Sequence, residues 1–202
     1  MPKKKVVYGI VVLLIIAAAG AYFLFFSQPV SQLPRTEHFL GSAGAKVVMV
    51  EYSDFQCPAC GAAEPAVEQV IQSYGNRIKF VYKHFPLTNI HQYSQKAAES
   101  SECAGAQGKF WEMHDKLFAN QNALRITDLK IYAQQIGLNT TEFNSCLDGG
   151  AAAANVKADF SEGLAEKVRA TPTFFINGRK IEGGVPFEEF KAVIDQELAA
   201  AG

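Results

Sequence analysis

Neither sign of charge dominates this 202-residue chain, in which 19 lysines and arginines face 20 aspartates and glutamates for a net charge of −1. It lacks any cluster of basic residues with interleaved aromatics. The electrostatic footprint that nucleic acid demands is therefore missing, and no nucleic-acid partner is expected. Histidine occurs four times and never in a group: His38, His84, His91 and His114 have no cysteine or acid at ligand spacing. No internal repeat is present, and no low-complexity stretch beyond a single apolar run. Repeat architectures and long disordered tails are thereby set aside.

That one run lies at the start. Lys3, Lys4 and Lys5 precede 21 residues without a formal charge, Val6 to Phe26. At 1.5 Å per residue a helix of this length spans roughly 31 Å, the thickness of a bilayer core. The expectation is a transmembrane anchor over 6–26, with residues 1–5 in the cytoplasm and the rest outside. A cleaved signal peptide competes, because Ala17-Ala18-Ala19 offers small residues, but the apolar run continues past them to Phe26. Both readings export the remainder of the chain into an oxidising compartment. Residues 27–36 hold two prolines and read as a tether, so the folded domain is expected over 37–202.

Cysteine is also sparse, with four in all, and two of them stand two residues apart in Cys57-Pro58-Ala59-Cys60. The preceding Val47–Tyr52 run is apolar and β-prone, which predicts a buried strand. Pro58 favours a first helical turn, and Glu64, Val67, Val70 and Ile71 follow at helical spacing. Cys57 is thus predicted just before a helix start, where free N–H groups and the positive dipole end favour a thiolate. A thiol so placed can fall from about 8.5 to roughly 3.5–7.5.

Farther on, Gly75-Asn76 marks a turn, and Ile78, Phe80 and Tyr82 alternate with Lys79, Val81 and Lys83 as a second strand. Strand, helix and strand in that order predict a βαβ unit with parallel strands. Residues 91–167 read as helical. Phe110, Trp111, His114, Leu117 and Phe118 repeat at 3.6, and Thr127 is a candidate cap for Leu129, Tyr132, Ala133 and Ile136. Asn139 with Glu142 resembles a capping box. Thr173–Ile176, the Asn177-Gly178 turn and Arg179–Glu182 predict a hairpin, and Pro186 opens a last helix. The fold class expected is α/β, a small sheet interrupted by a helical insert of roughly 75 residues.

The strand into Cys57–Cys60, the Val168-Arg169-Ala170-Thr171-Pro172-Thr173 segment and the closing hairpin and helix resemble a thioredoxin fold. The insert, with Gly108-Lys109-Phe110-Trp111-Glu112-Met113-His114-Asp115, resembles the DsbA-type branch of exported thiol-disulfide oxidoreductases. The resemblance implies that Cys57 is an exposed nucleophile, that Cys60 is the buried resolving thiol, and that Pro172 is a cis-proline opposite the disulfide. Substrate backbone is then expected beside Pro58, Ala59, Thr171 and Pro172. An ordinary trans proline is the alternative. Where the strongest oxidants of the family carry Pro-His, this chain has Pro58-Ala59. Ala59 can neither donate a hydrogen bond nor carry a charge, so a weaker oxidant is expected. The resemblance further implies exported proteins with free thiols as substrates and a membrane quinone reductase of the DsbB or vitamin-K-epoxide-reductase type as redox partner. The protein is expected to be a monomer, with no cofactor beyond the Cys57–Cys60 disulfide.

Three readings stay open at this level. Glu51, six residues before Cys57, is either a buried proton acceptor for Cys60 or an exposed residue paired with Lys83. Cys103 and Cys146 form a structural disulfide between two helices, or two separate thiols, or a second redox pair. The function is oxidative, or isomerising or reducing at the same site, or a non-enzymatic peptide- or metal-binding use of the fold. A zinc site at Cys57 and Cys60 would need two more ligands, and none is expected.

Overall fold

A computed structural model of the chain describes residues 31–201. Among these no helix is long and apolar enough to cross a membrane. The predicted cytoplasmic stub, the span over 6–26 and the first part of the tether lie outside the described residues.

Five strands make one sheet: β1 (His38–Gly41), β2 (Val47–Ser53), β3 (Ile78–His84), β4 (Thr173–Ile176) and β5 (Arg179–Glu182), in the order β1-β3-β2-β4-β5. β2 and β3 are parallel, as the predicted βαβ unit requires, with Glu51 level with Tyr82. The remaining pairs are antiparallel. β1 has no counterpart among the expected strands. Its four residues are too few to show a period, and it forms because the β3 edge supplies a ladder from Tyr82 to Lys79. The β4–β5 turn uses Asn177 and Gly178, both at positive φ (46° and 84°). Those values explain why this dipeptide is so strong a hairpin signal.

Among the described residues seven α-helices complete the order: α1 (Pro58–Tyr74), α2 (Ser94–Gly105), α3 (Phe110–Phe118), α4 (Ile126–Gln135), α5 (Thr140–Gly149), α6 (Ala153–Ala165) and α7 (Phe187–Ala201). The period of two in β2 puts Val47 and Met49 on the face covered by α1 and α7, against Val67, Val70, Phe190 and Ile194. Glu51 and Ser53 continue that face toward the end of the strand. Full burial of side chains such as these apolar ones contributes roughly 1.5–3 kcal/mol each.

The insert, α2 to α6, wraps the β1–β3 edge. α3 brings His114 to 4.9 Å from Tyr82 and Trp111 to 6.0 Å from Phe80, ring centre to ring centre. On the opposite face α6 stacks Phe160 on Phe85 at 4.5 Å. The insert's own core, with Met113, Leu117, Leu129, Phe143 and Leu147, is continuous with Phe55 and Tyr82 of the sheet layer. Cys103 of α2 and Cys146 of α5 are bonded, with their Cα atoms 5.9 Å apart.

Two expectations need correction. Residues 32–36 do not hang free before the fold. Leu33 N–H donates to the Ala151 carbonyl (3.0 Å), Asn155 donates to the Pro34 carbonyl (3.2 Å), and Arg35 bonds Asp159 (2.9 Å) and Glu162 (2.6 Å). Composition suggests a linker, but α6 and Ala151, two residues ahead of it, offer an acceptor, a donor and two carboxylates in register with it. The domain therefore begins near Gln32. Thr127 is likewise not the cap of α4. The cap position is Arg125, and the Asp128 carboxylate accepts its N–H at 2.9 Å. An acid at the third helical position supplies the acceptor that threonine was expected to provide. Asn139 does cap α5, accepting from Thr141 and Glu142.

Candidate active site

The end of β2 and the start of α1 are joined by Asp54-Phe55-Gln56, and Asp54 builds the turn. Its carboxylate accepts from the Gln56 N–H (2.8 Å) and, through the other oxygen, from Leu87 N–H (2.9 Å), with His91 Nδ1 at 2.7 Å. Its carbonyl accepts from the Cys57 N–H at 3.0 Å. Cys57 then occupies the N-cap position of α1 (φ −73°, ψ 119°), with Pro58 as the first helical residue and no side-chain oxygen capping the helix. The Cys57 sulfur takes the place such an oxygen would fill, facing the N–H groups of Ala59 and Cys60.

Both sulfurs are free thiols in this structure. The Cys57 thiol is pulled down to about 5. A hydrogen bond from Cys60 is the largest cause, and Thr171 and the amides of Cys60 and Ala59 add to it against the opposing effect of burial. Cys60 goes the other way. Burial, the hydrogen bond to Cys57 and the nearby Glu51 charge push it well above the ordinary thiol range. One sulfur is thus ionised at neutral pH and its partner holds its proton.

Cys57 is only 6% exposed, which corrects the expectation of an open nucleophile. The Thr171 carbonyl lies 3.4 Å from its sulfur, and the Thr171–Pro172 bond is cis. β4 pairs with β2 from Tyr52↔Thr173 onward, which brings the Ala170–Pro172 approach directly over the start of α1. Pro58 and Ala59 remain exposed beside it.

Glu51 is fully buried on the α1 face, and neither carboxylate oxygen has a hydrogen-bond partner among the described residues. Burial pushes it up to about 7. The alternative pairing with Lys83 does not occur: Lys83 reaches Asp159 and Glu162 on α6, from the other face of the sheet.

Sequence reasoning missed two residues here. Glu64, one turn beyond Cys60, is pushed up to about 9, chiefly by burial and then by the charges of Glu51, Asp115 and Glu68. It lines a cavity of about 530 Å³ between α1 and α3, with His114, Trp111 and Phe118. His114 Nε2 is 4.0 Å from Glu64, and burial pulls that imidazole below its ordinary value. In the sequence Glu64 looks like any acid on a helix; only the arrival of α3 covers most of it. The second is Gln121, whose side chain reaches the Cys57 turn from the insert.

Because Glu64 keeps its proton in the folded state and loses it in the unfolded chain, the folded state binds more protons between about pH 4.5 and 9. Stability therefore falls as pH rises through that window. Glu64→Gln removes the titration, so urea midpoints of the variant are expected to decline less from pH 5 to 9 than those of the native chain. Equal slopes would remove Glu64 from this account.

A family profile described as Thioredoxin matches residues 34–196. The chain belongs to the thioredoxin family. The chain is 42% identical over 166 residues to a protein named Na(+)/H(+) antiporter NhaA 1 of Salinispora arenicola, covering 82% of this chain and 25% of that one. The chain thus spans about a quarter of the length of the curated relatives it matches. Among solved structures, oxidised BdbD of Bacillus subtilis superposes with a TM-score of 0.72 at 26% identity, over 86% of this chain and 100% of that one. Alpha-DsbA1 of Wolbachia pipientis gives 0.72 at 23%, over 85% and 95%. The thioredoxin-like fold with a helical insertion is therefore shared with DsbA-like thiol-disulfide oxidoreductases. In thioredoxin-family terms, the strand–turn–helix, the Cys pair and the cis-proline stand together at one end of the sheet.

Proposed function

We propose that this thioredoxin-family chain is an extracytoplasmic thiol-disulfide oxidoreductase that donates the Cys57–Cys60 disulfide to exported proteins with free thiols. The observation that carries the reading is the split within the pair, with Cys57 drawn down to about 5 and Cys60 pushed far up. A low-pKa thiol leaves well, so Cys57 is the sulfur from which a new substrate disulfide departs.

A substrate thiolate attacks the Cys57 sulfur and the Cys57–Cys60 bond breaks. Cys60 leaves as a thiolate, and Glu51, poised near pH 7, supplies its proton. A second substrate thiolate then attacks the substrate sulfur of the mixed disulfide and expels Cys57 as thiolate. The substrate has lost two electrons and the protein has gained them. Reoxidation runs in reverse. Cys57 attacks a partner disulfide, Glu51 takes the Cys60 proton, and Cys60 closes the bond. A membrane quinone reductase of the DsbB or vitamin-K-epoxide-reductase type suits that partner role. The apolar Val6–Phe26 run would keep the domain near it by raising effective concentration. The buried Thr171 and the cis Pro172, beside exposed Pro58 and Ala59, suit an extended substrate backbone.

The direct test is refolding of a reduced, disulfide-requiring protein by the oxidised chain. Acceleration supports the proposal; its absence, or a reduction potential near the roughly −270 mV of thioredoxin, turns the reading toward a reductant. Glu51→Gln is expected to slow Cys60 closure during reoxidation by oxidised glutathione by about 10²-fold. It should also flatten the rise of that rate through about pH 7, because only the ionised carboxylate accepts a proton. A preserved inflection would assign the proton transfer elsewhere.

A further inference from the structure

The turn between α3 and α4 sends one side chain into the redox site. Gln121 Nε2 donates to the Cys57 carbonyl at 2.8 Å and to the Phe55 carbonyl at 2.9 Å. Both partners are acceptors, so the amide can only face them with its two N–H groups. The two carbonyls flank Gln56 on the residues that lead into α1. The Cys57 carbonyl is also the first acceptor of that helix, bonded by the Cys60 N–H (3.1 Å) and the Gly61 N–H (3.2 Å).

The insert holds Gln121 firmly. Ala123 N–H closes the turn onto the Asn120 carbonyl (2.8 Å), Tyr132 Oη donates to the Ala123 carbonyl (2.8 Å), and Leu124 is buried. On the α1 side the space is reserved by a glycine. A Cβ on Gly61 would stand 2.3 Å from Gln121 Oε1 and 2.8 Å from its Cδ. Gly61 has no positive φ to explain it, and glycine costs roughly 1 kcal/mol against alanine within a helix. Room for the glutamine is the physical reason the structure offers.

We propose that Gln121 is a positioning residue for Cys57: it clamps the two carbonyls that orient the N-cap residue, and Gly61 leaves it the space to do so. Through this clamp the helical insert sets the direction in which the Cys57 sulfur leaves the backbone. The sulfur depends on that direction to face the N–H groups of Ala59 and Cys60. The inference rests on the oxidoreductase reading of the same site, but it concerns how the sulfur is held and not which substrate it meets.

The test uses Gln121→Met, which keeps length and bulk but has no N–H, and Gly61→Ala, which leaves Gln121 intact and removes its room. Thiolate absorbance at about 240 nm against pH, and the pH dependence of alkylation by iodoacetamide, report on Cys57. Both variants are expected to raise its titration midpoint by roughly 0.5–1 unit, and the double variant by no more than either single one. Alkylation at pH 5, where the native thiol is about half ionised, should fall about 2–6-fold accordingly. An unchanged midpoint in Gln121→Met, whatever its melting temperature, overturns the proposal and leaves Gln121 a tie between the insert and α1. Additive shifts in the double variant overturn the role given to Gly61. Failure of the oxidoreductase reading would look different: the native chain would not accelerate oxidative refolding, while the Gln121→Met shift would still be measured.

Discussion

Cys57→Ser is expected to bring disulfide transfer by this chain down to the uncatalysed background, whereas Cys60→Ser is expected to stall it one step later. The two sulfurs differ in everything that matters to exchange. Cys57 is a thiolate at neutral pH, held by the Cys60 thiol and the N-terminal amides of α1. A serine hydroxyl there keeps a capping oxygen for α1 but has no nucleophilic anion at pH 7. The loss should thus appear as chemistry without unfolding, with a melting temperature close to that of the reduced native chain. Cys60 is fully buried and protonated. With serine in its place, Cys57 still attacks small disulfides, but nothing displaces the adduct. A stable mixed disulfide with glutathione should then accumulate in mass spectra of the Cys60→Ser chain and be absent from those of Cys57→Ser. Its appearance on Cys60 instead would invert the assignment. Alkylation of the reduced native chain should follow a midpoint near pH 5; a midpoint near about 8.5 would remove the basis of the proposed reaction.

The second large effect is on stability. Breaking the Cys103–Cys146 bond with a Cys103→Ala, Cys146→Ala pair frees a loop closed across 43 residues. The chain-entropy treatment values that closure at roughly 4 kcal/mol. For a domain of this size, a loss of that order lowers the melting temperature by about 8–16 °C. Cys103 sits in the core of the insert beside Ala104, and the partly buried Cys146 packs against that core beside Leu147, so the insert should loosen first. Because neither half-cystine is among the groups that hold Cys57, oxidative activity at 25 °C is expected to survive in the folded fraction. If the double variant lost refolding activity while keeping its melting temperature, the pair would be a second redox couple and not a structural one. Thermal unfolding of the oxidised chain, with and without the substitutions, is the measurement.

Much of this architecture is legible in the order of residues, because its signals are local. The apolar alternation of Ile78–Tyr82, the Asn177-Gly178 turn and the proline that opens α1 each act within a few residues. The parallel β2–β3 pairing follows from the helix between them. The tether differs from its expectation for the opposite reason. Arg35 looks like a solvated charge until Asp159 and Glu162, 124 and 127 positions away, are folded against it. Thr127 loses the capping position to Arg125 through a choice between neighbouring candidates that propensity weighs poorly. β1 exists only because β3 has a free edge, and no period in four residues could announce it.

At the candidate site the division is similar. That Cys57 precedes a helix, and is thereby biased toward the thiolate, is contained in the order strand, Cys, Pro, helix. Burial is not. Glu51 and Glu64 are ordinary acids by composition. They become high-pKa carboxyls only because the sheet, α1 and α3 close over Glu51 entirely and over most of Glu64. The cis-proline approach and the Gln121 amide come from segments 114 and 64 residues from Cys57. The short-range order of residue types thus determined a reactive cysteine at a helix start within an α/β sheet carrying a helical insert. Tertiary packing decided which carboxylates lost their solvent, which sulfur kept its proton and which distant side chain holds the turn. Desolvation and hydrogen-bond geometry depend on neighbours in space, and the chain brings those neighbours together only when it folds.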